Sequence, residues 1–352
     1  MKKFWEKLPK PFFCLAPMAD VTDAAFRRVI AKYGKPDVMW TEFVSADGLS
    51  SPGREVLKNN LIFSKKEKPI IAQLFSSHPI KMRQAAKYVA SLGFDGIDIN
   101  MGCPDRSIEK QGAGAAMMKD MKKAGEIIQA VKDGIKDSKK KNISVSVKTR
   151  IGYNKNQISE WIPFLLSQDI DALTIHARTR KEMSLVPARW EHVKEVVDIR
   201  NKMGIKTKII GNGDVKDIEQ GMLLALETGC DGIMVGRGIF GNPWFFSREN
   251  NSKFSQGSYG RGRTRGQTNL KILINFTPTV EQKLKVMVEH TKLFDKLLGK
   301  VKNFAVMKKH YKAYVNGFDG AKELRVQLME TKNAHEVEVI VNGFLKTYKN
   351  KI

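Results

Sequence analysis

The chain has 352 residues, of which 42% are hydrophobic and 28% charged, and its formal net charge is +24. This mixture excludes a disordered or fibrous chain, and a length above about 250–300 residues predicts one large domain or two. The three cysteines, Cys14, Cys103 and Cys230, are too scattered for a disulfide framework or a zinc cluster, so we predict a reducing compartment and no metal site.

The basic start, MKKFWEKLPK, lacks the apolar region of a signal peptide. No apolar run approaches the ~20 residues that span a bilayer. We therefore expect a cytoplasmic protein with no membrane partner. The positive charge favours a polyanionic partner, and a generally basic surface is the alternative explanation.

Eight short apolar runs alternate with amphipathic stretches along residues 12–247. The runs are FFCLA (12–16), VMWTEF (38–43), PIIAQL (69–74), GIDIN (96–100), ISVSVKT (143–149), ALTIH (172–176), TKIIGN (207–212) and GIMVG (232–236). Apolar strands that alternate with helices predict a parallel sheet covered by helices. Eight such units close a (β/α)8 TIM barrel, usually of about 250 residues. A doubly wound open sheet is the alternative that one miscounted strand would favour.

Three of the intervening helical patterns have recognisable ends. Thr22 is the predicted N-cap of the first, and glycines at 34, 93 and 229 are expected near the helix ends. These helices cover the outside of the predicted barrel.

The composition changes after residue 247. Residues 248–279 include SKFSQGSYGRGRTRGQTN and predict a Gly/Ser/Arg-rich linker or loop. Residues 280–352 show helical periodicity in three segments and predict a smaller all-helical domain after the barrel (1–247). Residues 248–352 hold 21 Lys and Arg against 9 Asp and Glu, a density that favours the polyanion.

The C-terminal ends of the strands are where a barrel of this kind carries its chemistry. In chain order they present Pro17-Met18-Ala19, Glu42, Gln73, Asn100 with Cys103, Lys148, His176, Asn212-Gly213-Asp214 and Gly236-Arg237. Polar residues often end strands, so it is their convergence on one rim that predicts a site.

Glycine-rich turns follow the last two strands, and these turns predict a phosphate site built from backbone N–H groups. Lys148 would stabilise a developing anion at the rim, with a surface lysine as the alternative. Gln73 offers a heterocycle both a donor and an acceptor. Gly102 and Pro104 place the thiol of Cys103 on a turn over the barrel mouth.

These residues resemble those of the tRNA-dihydrouridine synthases. The motifs are APMADVTDAAFR (16–27), AQLF (72–75), DGIDINMGCP (95–104), GAGAAMM (112–118), VSVKTRIGY (145–153), LTIHARTR (173–180), IIGNGD (209–214) and MVGRGIFGNPWFF (234–246). The tail, with KKHYKAY at 308–314, is similar to the RNA-binding domain of that family.

The resemblance implies an FMN enzyme that reduces the C5–C6 double bond of D-loop uridine in tRNA with NADPH or NADH. It implies hydride from flavin N5 to C6 and a proton from Cys103, the catalytic general acid, to C5. The implied flavin contacts are Pro17, Met18, Ala19, Gln73, Lys148, His176, Asn212, Gly213, Asp214, Gly236 and Arg237. The implied substrate contacts are Asn100, Arg178, Lys308 and Lys309. We expect a monomer.

The chain departs from the family pattern at two of these motifs. Asp20 stands where the family often has glycine, and AGAAMM replaces a stretch with two leucines.

Two other functions are alternatives to this one. One alternative function is a flavin-dependent oxidoreductase acting on a free pyrimidine. The other is a non-catalytic tRNA-binding protein on the same scaffold.

Overall fold

The computed structural model of the chain describes residues 3–247 and 277–349. Most of the predicted linker, residues 248–276, lies outside the described residues. In the part of the chain that is described, no helix combines the length and the apolar character that crossing a membrane requires.

Eight parallel strands form a closed barrel in which each strand pairs with the next and the last pairs with the first. The strands are β1 (Phe12–Leu15), β2 (Val38–Ser45), β3 (Ile70–Phe75), β4 (Gly96–Met101), β5 (Ser144–Arg150), β6 (Ala172–His176), β7 (Lys208–Asn212) and β8 (Gly232–Val235). Each predicted run overlaps one strand, and the TIM barrel is confirmed. The closed pairing excludes the open sheet, which would leave two edges unpaired.

Helices cover the barrel and continue into a second layer. They are α1 (Ala24–Tyr33), α2 (Ala46–Leu49), α3 (Arg54–Leu57), α4 (Pro79–Ser91), α5 (Arg106–Lys110), α6 (Met121–Asp137), α7 (Ile158–Leu166), α8 (Glu191–Lys202), α9 (Ile218–Thr228), α10 (Val280–Leu298), α11 (Val306–Tyr314), α12 (Ala321–Met329) and α13 (Ala334–Lys349). Short 3₁₀ helices span Phe4–Lys7, Lys58–Leu61, Lys65–Glu67, Gly114–Lys119 and Arg237–Ile239.

The predicted cap of α1 is wrong by one residue. Asp23 is the N-cap, because its side chain accepts from the backbone N–H of Phe26 at 3.0 Å. The hydroxyl of Thr22 is engaged elsewhere and accepts from the N–H of Met18 at 2.9 Å. Thr22 therefore fixes the turn that follows β1. Gly229 ends α9 in the left-handed conformation, as predicted.

Near the N-terminal ends of the strands the interior of the barrel is apolar and closed. Trp5, on the N-terminal 3₁₀ helix, is 3% exposed and packs with Trp40 and Ile71 inside the sheet. Its indole N–H donates to the hydroxyl of Ser144, at the start of β5, at 2.5 Å. The barrel is thus plugged at the N-terminal ends of its strands, which leaves the other rim for ligands.

Helices α10–α13 form a bundle that packs on the outside of the barrel. Ala25 and Val29 of α1 share a hydrophobic cluster with Leu284 and Met287 of α10. The sequence analysis did not single out α12, whose nine residues bury only Ala321, Leu324 and Leu328. A helical C-terminal region was predicted and is present.

Gly134→Ala should destabilise the barrel, because α4 and α6 approach closely at this glycine. An added Cβ would lie 2.4 Å from the carbonyl oxygen of Arg83, whereas at Gly125 on the same helix the nearest atoms are 3.5 Å away. We expect a loss of about 1–3 kcal/mol for Gly134→Ala. Gly125→Ala, the matched control, should gain up to about 1 kcal/mol from helix propensity. Urea unfolding measures both, and equal stability of the two variants would contradict the close packing.

Candidate active site

A cavity of about 600 Å³ opens at the C-terminal ends of the strands. Ten of the predicted residues line it, namely Pro17, Met18, Lys148, His176, Arg178, Asn212, Gly213, Asp214, Gly236 and Arg237. Cavities of about 300–1,000 Å³ are typical of sites for cofactors and small ligands.

The two glycine turns bring bare backbone to the cavity wall. Gly213 has a φ of +137°, and a Cβ there would lie 2.6 Å from the Cβ of Ala188. A Cβ at Gly238 would lie 2.3 Å from the carbonyl oxygen of Val215, so the turns after β7 and β8 touch. At Gly236 the nearest atom to an added Cβ is Sδ of Met18 at 3.7 Å, which leaves that backbone open.

Lys148 supplies positive charge where β5 ends. Burial and the neighbouring charge of Arg150 lower the pKa of Lys148 to about 8, and the charge of Asp98 opposes this shift. Arg150 itself is held by Gly102, whose carbonyl accepts from its Nε at 2.9 Å. At neutral pH the lysine is therefore still mostly charged.

His176 is a neutral imidazole with a defined tautomer. Nη1 of Arg178 lies 3.0 Å from its Nε2. Because a guanidinium only donates, Nε2 is the acceptor and the ring proton sits on Nδ1. Burial and the charge of Lys148 lower the pKa of His176 well below its ordinary value. His176 therefore offers a neutral N–H donor.

Asp214 joins two arginines at the cavity wall. It has a φ of +52° and accepts from Arg178, from Arg237 at 3.2 Å and from the N–H of Ala188 at 2.9 Å. Burial would raise the pKa of Asp214, but the N–H of Ala188 and the two arginines lower it. Arg178 also donates to the carbonyl of Val186 at 2.6 Å, so three acceptors of the protein hold its guanidinium.

Gln73, Asn100 and Cys103 form a connected group beside Lys148. Asn100 and Lys148 are register partners on β4 and β5. Nδ2 of Asn100 donates to Oε1 of Gln73 at 3.1 Å, and Oδ1 of Asn100 accepts from the backbone N–H of Cys103 at 2.9 Å. The side-chain oxygen of Gln73 therefore accepts from Asn100. The sequence analysis expected that oxygen to accept from a bound heterocycle and did not predict a partner within the protein.

The thiol of Cys103 lies in a half-buried apolar setting. Phe75, Ile108 and Ala113 form a buried cluster against which Cys103 packs. Its carbonyl accepts from the N–H of Ala115 at 2.9 Å, which folds the following loop back over it. Burial raises the pKa of Cys103, so the thiol stays protonated at neutral pH.

Six predicted residues are not among those that line the cavity: Gln73, Asn100 and Cys103, which lie beside Lys148, and Ala19, Lys308 and Lys309. Ala19 lies in the turn after Met18 with an exposed side chain. Lys308 is half-buried and Lys309 is exposed, and both lie on α11 of the bundle.

A basic side chain from the bundle reaches the barrel mouth. Nζ of Lys302, between α10 and α11, lies 2.9 Å from both carboxylate oxygens of Glu42 and 3.4 Å from Asp20. Glu42 also accepts from the N–H of Asp20 at 2.6 Å. The turn after β1 is therefore tied to the bundle.

The sequence analysis missed three residues of this region. Asp98 and Arg150 lie two positions from Asn100 and Lys148, and residues two apart on a strand face the same side. Strand alternation was the signal that could have found them. Lys302 gave no such signal, because it lies in a loop.

A sequence profile of the family described as "Dihydrouridine synthase (Dus)" matches residues 14–351. The "Probable tRNA-dihydrouridine synthase 2" of Bacillus subtilis (strain 168) is 37% identical over 354 residues, covering 100% of this chain and 99% of that protein. The "Probable tRNA-dihydrouridine synthase" of Staphylococcus aureus (strain MRSA252) is 36% identical over 346 residues, covering 97% of this chain and 96% of that protein.

A solved structure of histamine dehydrogenase from Rhizobium sp. 4-9 aligns with a TM-score of 0.47 at 14% identity, over 66% of this chain and 44% of that one. This likeness is too distant to bear on function. The profile and the relatives extend along nearly the whole chain, through the barrel and into the bundle. The chain belongs to the dihydrouridine synthase family.

Proposed function

We propose that this chain is a tRNA-dihydrouridine synthase, an oxidoreductase that uses FMN and NADPH or NADH to reduce the C5–C6 double bond of a D-loop uridine. The observation that carries the proposal is that Cys103 and Lys148 both flank Asn100: the backbone N–H of Cys103 donates to Asn100 at 2.9 Å, and Lys148 is the register partner of Asn100 on β5. A general acid next to a cation suits a reduction in which negative charge develops on a carbonyl-bearing ring.

The cavity fits a flat, phosphorylated cofactor such as FMN. The open backbone at Gly236 and the side chain of Arg237 suit a phosphate, since a Cβ would narrow the approach. Lys148 and the neutral N–H of His176 suit the electron-rich edge of a reduced flavin. In this proposal Pro17, Met18 and Gln73 contact the ring, and Asn212, Gly213 and Asp214 shape the wall.

The chain's own residues supply the acid and the charge. FMN, when bound, would supply the hydride for C6 of the uracil. Cys103 protonates C5, and its raised pKa keeps the proton available at neutral pH. Lys148 stabilises negative charge as it develops, and Asn100 orients the ring that Cys103 protonates.

Both the net charge of the chain and its membership of the family support tRNA as the partner. The net charge of +24 favours a polyanion, and Lys308 and Lys309 are the proposed phosphate contacts on the bundle. Arg178 adds positive charge at the cavity, where a uridine removed from its stack would enter. We further propose a cytoplasmic monomer, the state in which the cavity and the bundle serve one tRNA.

Purified protein tested on unmodified tRNA decides among the candidate functions. We expect a yellow protein that oxidises NADPH and forms dihydrouridine at one or two D-loop positions, detected by mass spectrometry of digested tRNA. Activity on free uridine but not on tRNA would favour the free-pyrimidine enzyme. A colourless protein that binds tRNA without turnover would favour the non-catalytic alternative.

Removal of the two bundle lysines should weaken tRNA binding without changing flavin binding. For Lys308→Ala with Lys309→Ala we expect a higher Kd and a salt slope that is smaller by about 1–2, since each lost phosphate contact removes about 0.7–0.9 from it. The control pair is Lys140→Ala with Lys141→Ala, exposed lysines before β5 on the opposite rim. Equal salt slopes for the two pairs would refute the assignment.

A further inference from the structure

Asp98 is a fully buried carboxylate inside the barrel, two residues before Asn100 on β4. Its Oδ2 accepts from Nε2 of Gln73 at 2.6 Å, and its Oδ1 accepts from the hydroxyl of Ser146 at 2.5 Å. Burial raises the pKa of Asp98, but the hydrogen bonds from Gln73 and Ser146 and the charge of Lys148 hold it to about 6, so the carboxylate is mostly ionised at neutral pH. An ionised carboxylate only accepts hydrogen bonds.

This acceptor sets the orientation of the next two amides. Because Asp98 needs a donor, the NH₂ of Gln73 faces it and the oxygen of Gln73 faces Asn100. Asn100 must then present its own NH₂ to Gln73, which is the 3.1 Å contact observed. The oxygen of Asn100 is left for the backbone N–H groups of Gly102 at 3.1 Å and Cys103 at 2.9 Å.

We propose that Asp98 is a positioning residue that, through Gln73 and Asn100, fixes the backbone that carries the thiol of Cys103. The proposal deepens the proposed function, on which the role of Cys103 rests.

The rate of Cys103 alkylation by iodoacetamide reports on this backbone without tRNA or NADPH. Cys14 and Cys230 are buried, so Cys103 is the reactive thiol of the folded chain. Asp98→Leu keeps a similar volume but removes the hydrogen-bond acceptor. The side-chain amide of Gln73 is then free to rotate, so that its oxygen and nitrogen exchange places. We expect labelling of Cys103 about fivefold faster, the factor that corresponds to one typical hydrogen bond.

A double-mutant cycle separates this chain of contacts from a packing effect. Gln73→Leu breaks the same chain one step later and should also accelerate labelling about fivefold. Asp98→Leu combined with Gln73→Leu should be no faster than either single variant, because coupled residues are not additive. Multiplied effects in the double variant would overturn the proposal.

Two further variants serve as controls. Asp98→Asn can still accept from Gln73 through its oxygen, so its labelling rate should stay within about twofold of the wild type, well below one hydrogen bond's factor. Ser146→Ala removes the other hydrogen-bond donor to Asp98, which is not part of the series Asp98, Gln73, Asn100 and Cys103. Its labelling rate should also match that of the wild type. If Cys103 of Asp98→Leu were labelled no faster than in the wild type, the positioning role would be refuted. Labelling of Asp98→Asn as fast as that expected for Asp98→Leu would refute it too.

Peptide mapping guards the test against misfolding, because an unfolded variant would also label Cys14 and Cys230. If Asp98→Leu unfolds, Asp98→Ala takes its place in the same cycle. Failure of the labelling test would leave the proposed function standing, since that function is decided by dihydrouridine formation in tRNA. If no dihydrouridine formed in tRNA but the labelling rates were as expected, the positioning role of Asp98 would stand. The proposed function would then be wrong, and Cys103 would serve a different reaction.

Discussion

Cys103→Ala should keep its flavin and be reduced by NADPH at the wild-type rate, yet lose about 10²–10⁴ of its turnover on tRNA. Burial raises the pKa of the thiol, so in the wild type the acid form is present throughout the neutral range. Alanine cannot donate a proton, and the neighbouring side chains of Phe75 and Ile108 offer no replacement donor. Anaerobic stopped-flow absorbance measures the two half-reactions separately.

The matched control is Cys230→Ala, which removes a buried thiol at the start of β8, away from the mouth. We expect both half-reactions of this variant to match the wild type. Full turnover on tRNA by Cys103→Ala would show that the proton comes from another group. Loss of the NADPH reaction in that variant would instead point to a role of Cys103 toward the cofactor.

Hydrophobic patterning was enough to predict the barrel. Each apolar run overlaps a strand, and consecutive strands pair in chain order, so the ends of β5, β6 and β8 meet at one rim. This is why Lys148, His176 and Gly236, which are far apart in the chain, line one cavity. In a closed parallel barrel the C-terminal ends of all eight strands lie on the same rim, so residues at those ends are neighbours in space.

Contacts made by loops were beyond this reasoning. The tautomer of His176 depends on Arg178, whose position is set by Val186 and Asp214 in later loops. Lys302 reaches Glu42 from the bundle, a contact across 260 residues that no local pattern encodes. The cap of α1 was misplaced for a related reason, because the hydroxyl of Thr22 is used by the turn after β1.

The contact between Lys302 and Glu42 also bears on how the two parts of the molecule act together. Glu42 lies within β2, three residues before the end of the strand, and its second partner is the N–H of Asp20, in the turn that begins with Pro17. The helical bundle is therefore joined by an ion pair to a turn that lines the cavity. Asp20, which departs from the family's usual glycine, takes a φ of +52° there, a conformation that glycine adopts without strain.

Lys148→Met should bind flavin more weakly and lose about 10²–10³ of kcat on tRNA, because it removes a charge that stabilises the developing anion. The pH dependence of the wild type carries the sharper test. The pKa of Lys148 in the free protein is about 8, so the lysine is charged below that pH and neutral above it. We expect kcat/KM to fall as the pH rises through about 8.

Cys103 does not explain such a fall, since its pKa is raised above the ordinary thiol value of 9.0. Lys148→Arg separates the two groups, because a guanidinium keeps its charge where the lysine loses it. In this variant the decline of kcat/KM should move to higher pH, where loss of the Cys103 proton sets it. An unchanged midpoint in Lys148→Arg would mean that another group titrates near pH 8, and that the charge of Lys148 is not what the reaction requires.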